Sequence, residues 1–379
     1  MKTPFFLTAA AMLSSATPAS AQDQNLEISG YVKPSIASKY RPEAVPADRF
    51  LVGFNEAKAG LRMRGYSGEA FDYNVYLYLT GDALDVLTRA IPLDTDNDGD
   101  ADKIYTQSAE AAKNLLREAW VNWRPTQGVN LKMGRMAIPF TSQAQAPDTE
   151  LMFPNRASPN AVFLQERDLG ALAQFSAAEG RVELQGGVYN GTGEALGSVS
   201  QTGVLYALRF DLAPLGAFNR SETGKTEDSW RFGWGAGVAI RPYTLYDNSG
   251  YPSTGVTDIR GTTSFRLTGR GIHFLAEALG RYTTDTLTDR PLIDFGAFGQ
   301  LGWYIPSGVE PVVRVGWVTE DYSFSPQQIY WGEAGMNFYL HDPLQNAKPV
   351  RIGIHYTNEY RYTEREIAHG ASAQLLVYF

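Results

Sequence analysis

The feature that most constrains this chain is a two-residue alternation of apolar with polar or small side chains, sustained over segments of roughly 10 to 14 residues. From Phe71 to Leu79, the residues Phe71, Tyr73, Val75, Leu77 and Leu79 share one face, opposite Asp72, Asn74, Tyr76 and Tyr78. From Trp230 to Ile240, Trp230, Phe232, Trp234, Val238 and Ile240 face away from Arg231, Gly233, Gly235 and Gly237. Strands of soluble domains average about five or six residues, whereas tilted strands that cross a bilayer carry alternation of this length. Sixteen such segments can be marked between residues 26 and 379, an even number as in single-chain bacterial barrels. Tight Gly or Pro turns such as 65–68, 125–128, 268–271 and 306–308 alternate with long connections such as 82–112, 141–167, 191–201 and 243–254. Short turns at one rim and long loops at the other mark the periplasmic and extracellular ends of an outer-membrane barrel. Connection 215–228 breaks the pattern, being long where a tight turn is due.

Other architectures fail on composition. Beyond the N-terminal segment no window holds the run of about 18 apolar residues that a spanning helix needs. Cysteine is absent, which leaves neither a disulfide framework nor a thiolate metal site. Residues 1–21 have a basic start at Lys2, an apolar run from Phe5 to Leu13 and the small residues Ala19-Ser20-Ala21, the pattern of a cleaved signal peptide. The remaining residues 22–379 carry 32 basic against 41 acidic residues, a formal charge of −9 that argues against nucleic acid as a partner. The last segment alternates through Ala371, Ala373, Leu375 and Val377 to Phe379, and resembles the signal read by the barrel-assembly machinery. The expected fold is all-β: a transmembrane antiparallel β-barrel of about 16 strands over 22–379, in the bacterial outer membrane, contacting lipid and lipopolysaccharide.

Inside that barrel, 141–168 stands out. It follows a candidate strand, Val129 to Phe140, precedes another, Leu169 to Phe175, and has no regular pattern of its own. Such a segment is out of place in a compact soluble domain but can fold into a wide lumen and narrow it. Gly134-Arg135-Met136-Ala137-Ile138-Pro139-Phe140 and Arg167-Asp168-Leu169-Gly170 resemble the strand and the return of the constriction region in the phosphate-selective porin O and P family. Gly187-Val188-Tyr189-Asn190-Gly191-Thr192-Gly193 and Ile272-His273-Phe274-Leu275-Ala276-Glu277 are similar to further strands of that family. The resemblance implies a 16-stranded homotrimeric channel. The expected function is a passive pore for small hydrophilic solutes or ions, with anions such as phosphate among the candidates. The alternative is a plugged barrel used as a surface scaffold or adhesin.

Charge at the constriction sets the expected selectivity. In 141–168, Arg156 and Arg167 meet Asp148, Glu150, Glu166 and Asp168 without any lysine, a local formal charge of −2, with Arg135 placed to face them. Arg209, Arg231, Arg266, Arg281 and Arg314 fall on inward faces by parity and are expected to line the pore wall, where arginine rings favour anions. The same faces carry acids such as Asp211, Asp258, Glu277 and Glu333, so cross-strand ion pairs are the simpler expectation for most of them. This balance predicts weak ion selectivity and a lumen unlike a strongly basic one. No enzyme is expected, because no spacing pairs His273, His341, His355 or His369 with a nucleophile.

The long loop 82–112 holds Asp94, Asp96, Asp98, Asp100 and Asp102 around Gly99, a spacing like the first half of an EF-hand loop. Carboxylates at alternate positions converge on one hard cation, and Ca2+ is the natural occupant. Tyr105 stands where an EF-hand carries its bidentate Glu, so binding is expected to be weak. Replacing Asp96 and Asp98 together by Ala is expected to abolish calcium binding in calorimetry without unfolding the barrel.

Overall fold

The computed structural model describes residues 26–42, 50–68, 70–80, 90–93, 103–106, 116–163, 167–191, 201–217, 220–246, 252–285, 291–320, 327–340, 350–363 and 365–379. The signal segment 1–21, the aspartates from Asp94 to Asp102 and Glu166 lie outside them. Sixteen antiparallel strands close on themselves. They are β1 (Leu26–Tyr40), β2 (Phe50–Ser67), β3 (Phe71–Thr80), β4 (Leu116–Thr126), β5 (Val129–Ala137), β6 (Arg167–Ala177), β7 (Val182–Tyr189) and β8 (Leu205–Leu212). The second half comprises β9 (Arg231–Tyr246), β10 (Pro252–Gly269), β11 (Ile272–Asp285), β12 (Leu292–Trp303), β13 (Val309–Glu320), β14 (Gln327–Leu340), β15 (Val350–Arg361) and β16 (Glu366–Tyr378). Gln201–Gly203 continues β8 toward the long-loop rim and pairs with β9.

Closure is the pairing of β1 with β16, in register from Tyr31 opposite Tyr378 to Tyr40 opposite His369. The terminal Phe379 locks this seam, its N–H donating to the Gly30 carbonyl at 3.0 Å and its carbonyl accepting from Gly30 N–H at 2.9 Å. A closed sheet leaves no unpaired edge, which is the condition for strands to exist in hydrocarbon. The alternation read from the sequence is the alternation of burial: Leu205, Ala207, Arg209 and Asp211 are buried while Tyr206 and Leu208 are exposed. The outer face is lined with large apolar side chains such as Met133, Leu208, Val315 and Ile354, exposed because lipid is their solvent. A separate hairpin pairs Ala90–Leu93 with Lys103–Thr106, so the aspartate array connects two short strands, and Tyr105 sits in a strand opposite Ile91.

Two expectations about the wall need correction. β5 ends at Ala137, not Phe140: Pro139 has no N–H to give a ladder, and Ile138 and Phe140 turn into the lumen, fully buried. Arg135 does not fall on the inward face by parity. It stands opposite Ala119 and Leu169, in phase with the outward-facing Leu131 and Met133. Gly134, at φ 131°, twists the strand there, and a Cβ would come within 2.2 Å of the Ala119 carbonyl oxygen. Arg135 is nonetheless buried, with Nε 3.3 Å from the Arg117 carbonyl.

The hydrophobic core lies inside the barrel. Ile138, Phe140, Ala157 and Phe163 of the loop after β5 pack on inward residues including Leu205, Leu275, Leu279, Phe298 and Trp331. Unheated in SDS, the chain is expected to migrate as a compact species that shifts on boiling. Phe140→Ala, which removes about 3–5 kcal/mol of packing from the loop rather than the wall, should leave that shift intact and raise single-channel conductance.

Candidate pore constriction

The segment from 138 to 163 crosses the lumen without a strand ladder, so its backbone needs other partners. The wall supplies them. Arg209 Nη1 donates to the Phe140 carbonyl at 2.7 Å, Arg260 Nη1 to Phe163 at 2.7 Å, Arg314 Nη1 to Asn155 at 3.0 Å and Arg351 Nη1 to Leu151 at 2.9 Å. Asn337 Nδ2 serves Met152 at 3.0 Å, Lys33 Nζ serves Pro154 at 2.7 Å and the Tyr378 hydroxyl serves Thr149 at 3.0 Å. Glu277 works in the opposite sense, accepting the Ser142 N–H at 2.6 Å. Gly237 of β9 makes room for the loop, because a Cβ there would stand 2.6 Å from the Phe140 carbonyl oxygen.

Three of the clamps are held by acids on their own or the adjacent strand. Asp211 and Asp258 sit two residues from Arg209 and Arg260, hence on the same face, and bind them at 2.6 Å; Arg314 pairs with Glu333 on β14. Arg209 and Arg314, expected on an open pore wall, are therefore buried loop anchors. Arg266 is a third, with Nη1 on the Arg220 carbonyl at 2.7 Å and Nη2 on Ser142 Oγ at 3.1 Å. Arg281 lies between Asp258 at 3.4 Å and Asp294 at 3.8 Å, the cross-strand pairing anticipated for these faces. Arg231 sits at the short-turn rim, bound to the exposed Glu227 at 2.7 Å and to the Leu215 carbonyl.

Within the loop, Gln143 is the hub, and nothing in its sequence neighbourhood singled it out. Its Oε1 accepts from the Ala157 N–H at 2.7 Å and from Asn160 Nδ2 at 2.8 Å. Its Nε2 donates to Glu222 at 3.3 Å and to Gln300 at 3.4 Å. Glu222 belongs to connection 213–230, the one that is long at the short-turn rim. That connection enters the barrel from the other end and meets the loop, with the Glu222 N–H donating to the Glu150 carbonyl at 2.9 Å. Glu310 secures it through Gly224 N–H at 3.2 Å, and His273 Nε2 donates to the Gly224 carbonyl at 2.8 Å. His369 lies on the outer face against Tyr356, 2.6 Å from its hydroxyl.

Arg156, expected in the pore, is instead a staple. It reaches the Ala146 carbonyl at 3.1 Å and Asp148 at 2.7 Å. Asp148 also binds Arg117 at 2.9 Å. Burial alone would raise the Asp148 carboxyl, but the guanidiniums of Arg156, Arg117 and Arg167 outweigh it and hold the group well below the usual carboxylate range. A depressed folded-state pKa contributes stability that is present above the unfolded value of about 3.9 and is lost as pH falls through the folded one. The staple therefore persists throughout the neutral and mildly acidic range. Asp168 is buried and accepts from the Leu169 N–H at 2.8 Å; Arg167 binds Glu118 at 2.9 Å.

The loop leaves one side of the lumen uncovered. Between its 147–150 edge and β1, β2, β3 and β16 lies a cavity of about 300 Å³, lined by Tyr31, Arg62, Tyr76, Glu150, Arg167 and Tyr378 among others. Asp72 serves two arginines, Arg64 at 3.0 Å and Arg124 at 2.9 Å, and Arg62 lies over the Tyr76 ring at 4.8 Å without an ion pair among the described residues. The charged side chains that line the cavity itself balance, Arg62 and Arg167 against Asp148 and Glu150, while Arg64, Arg124 and Asp72 lie on the neighbouring wall outside its lining.

A closed barrel with an inward loop and a residual opening is the architecture of an outer-membrane diffusion channel. The phosphate-selective porin O and P family matches residues 74–232, a stretch that contains both the loop and connection 213–230. The chain is a porin of the bacterial outer membrane, similar over those residues to that family, as the motifs at Gly134–Phe140 and Arg167–Gly170 suggested. Among solved structures it is similar to OmpT, an outer membrane protein of Vibrio cholerae, in its trimer form, with 8% identity, 94% of this chain and 100% of that one covered, and a TM-score of 0.56. It is also similar to an anion-selective porin from Comamonas acidovorans, with 10% identity, coverages of 93% and 100%, and a TM-score of 0.55. The outer membrane channel DcaP of Acinetobacter baumannii shows 10% identity, coverages of 96% and 100%, and a TM-score of 0.56. No curated protein matches the sequence. Fold and family indicate a channel rather than an enzyme.

Removing one partner of a buried clamp leaves the other charge uncompensated, at a cost of about 3–5 kcal/mol. Arg209→Ala should therefore lower thermal stability measurably and make single-channel current noisier as the loop detaches, whereas Arg231→Ala at the rim should change neither.

Proposed function

We propose that this porin passes small hydrophilic solutes along the β1–β3 and β16 side of the lumen, with a weak preference for anions and no enzymatic role. The observation that carries this reading is the charge on the β2–β4 wall at and beside the cavity: Arg62 has no ion pair among the described residues, and a single Asp72 is shared by Arg64 and Arg124. Opposite, Glu150 on the loop offsets part of that charge, which is why the preference is weak and not that of a strongly basic phosphate filter. Charges here count for more than those on wide parts of the barrel, because low-dielectric walls focus their field. The buried arginines of the opposite wall take no part in selection, being committed to acids and loop carbonyls.

A second reading is favoured by the meeting of the loop with connection 213–230 through Gln143, Glu222 and Gln300: a barrel closed from both ends and used as a surface scaffold. Steps of current in planar bilayers support the channel, and their absence supports the scaffold. Export through a signal peptide at 1–21, a homotrimeric state and weak Ca2+ binding by Asp94, Asp96, Asp98, Asp100 and Asp102 complete the proposal. In a salt gradient, Arg62→Gln is expected to move the reversal potential toward that of a cation-selective pore. An unchanged reversal potential would show that ions do not travel past Arg62.

A further inference from the structure

Two charged side chains at the cavity are in no ion pair among the described residues, Arg62 on the wall and Glu150 on the loop. Arg62, on the wall, lies over Tyr76 and takes part in no ion pair among the described residues. Glu150, on the loop, lines the same cavity, and its side chain has no ionic or hydrogen-bond partner among the described residues. Its backbone is nonetheless fixed, with the N–H on the Pro147 carbonyl at 2.9 Å and the carbonyl accepting from Glu222 at 2.9 Å. The other charged side chains lining the cavity are committed, Arg167 to Glu118 and Asp148 to Arg117 and Arg156.

A guanidinium fixed over an aromatic ring presents a planar fork that matches a carboxylate, and a free carboxylate opposite it attracts an ammonium. An anion entering this space satisfies Arg62 but is repelled by Glu150, and a cation meets the reverse. Only a solute carrying both charges answers both groups. The Tyr76 hydroxyl, which donates to Tyr31 at 2.9 Å, adds hydrogen-bonding capacity, and about 300 Å³ accommodates a molecule of amino-acid size. We infer that the cavity is a binding station for small zwitterions, with the carboxylate on Arg62 and the ammonium on Glu150. The assignment rests on the passage being open.

Planar-bilayer recordings of the full chain at neutral pH test it with three probes built on the same four-carbon chain: 4-aminobutyrate, butyrate and butylamine. The zwitterion should interrupt the potassium chloride current with dwell times about fivefold longer than either singly charged probe, as one additional ion pair of modest strength provides. Glu150→Gln should make 4-aminobutyrate and butyrate equivalent, Arg62→Gln should make 4-aminobutyrate and butylamine equivalent, and Arg62→Lys, which keeps the charge, should retain part of the difference. Equal dwell times for the three probes in a conducting wild-type channel, or a wild-type preference that survives in both Gln variants, would overturn the assignment while leaving the channel standing. A chain that carries no current would remove the passage and the zwitterion station together.

Discussion

The structure depends on one requirement: an irregular segment inside a barrel has buried carbonyls and no neighbouring strand to receive them. Here the wall answers with side chains that reach inward, and arginine is suited to it because a guanidinium has donors for an acid on one edge and a carbonyl on the other. Arg209 binds Asp211 and Phe140, Arg260 binds Asp258 and Phe163, and Arg314 binds Glu333 and Asn155. A hydrogen bond to a charged group is worth about 1.5–3 kcal/mol, roughly twice a neutral one. Several of them along one loop hold it where hydrophobic contacts such as Phe140 and Phe163 alone would leave it free to slide.

That requirement also divides the lumen electrically. On the side from β8 to β15, Arg209, Arg260, Arg314 and Arg351 are buried and bonded to loop backbone, so they contribute structure and little net field. Along β2 and β3 a cavity separates the wall from the loop edge at 147–150, and pairing is incomplete, as Asp72 shared by Arg64 and Arg124 shows. A count of lumen arginines consequently overstates how basic the transport path is. The functional charge resides in the few groups the scaffold does not consume.

The barrel was legible because membrane strands impose a period of two over a long run, and turns punctuate it with Gly and Pro. In β11, Ile272–Asp285, the buried His273, Leu275, Glu277 and Leu279 alternate with less buried neighbours as the pattern requires. Alternation with Leu131 and Met133 puts Arg135 on the outer face, and its burial against the Arg117 carbonyl on the neighbouring strand cannot be read from hydrophobicity. The inward loop was legible as an interruption of the pattern, but not its attachments, because contacts between Gln143 and Glu222 or between Arg351 and Leu151 join residues far apart in the chain. Connection 213–230 looked like a weakness of register, yet its length is what lets it enter the lumen. Arg62 was one arginine among many until the structure showed which of its neighbours had partners.

Rigidity follows from where the clamps originate. Lys33, Arg209, Arg260, Arg314, Asn337, Arg351 and Tyr378 project from seven different strands and hold successive loop residues from 140 to 163. Displacing the loop would break several of these contacts at once and expose carbonyls with no substitute donor, so its free-energy minimum is steep. The opening beside β1, β2 and β3 is therefore fixed in width by clamps of which only Tyr378 lines it. Selection in such a channel is a matter of static complementarity between solute and wall, and it can be retuned at Arg62 or Glu150 without disturbing the clamps that hold the constriction in place.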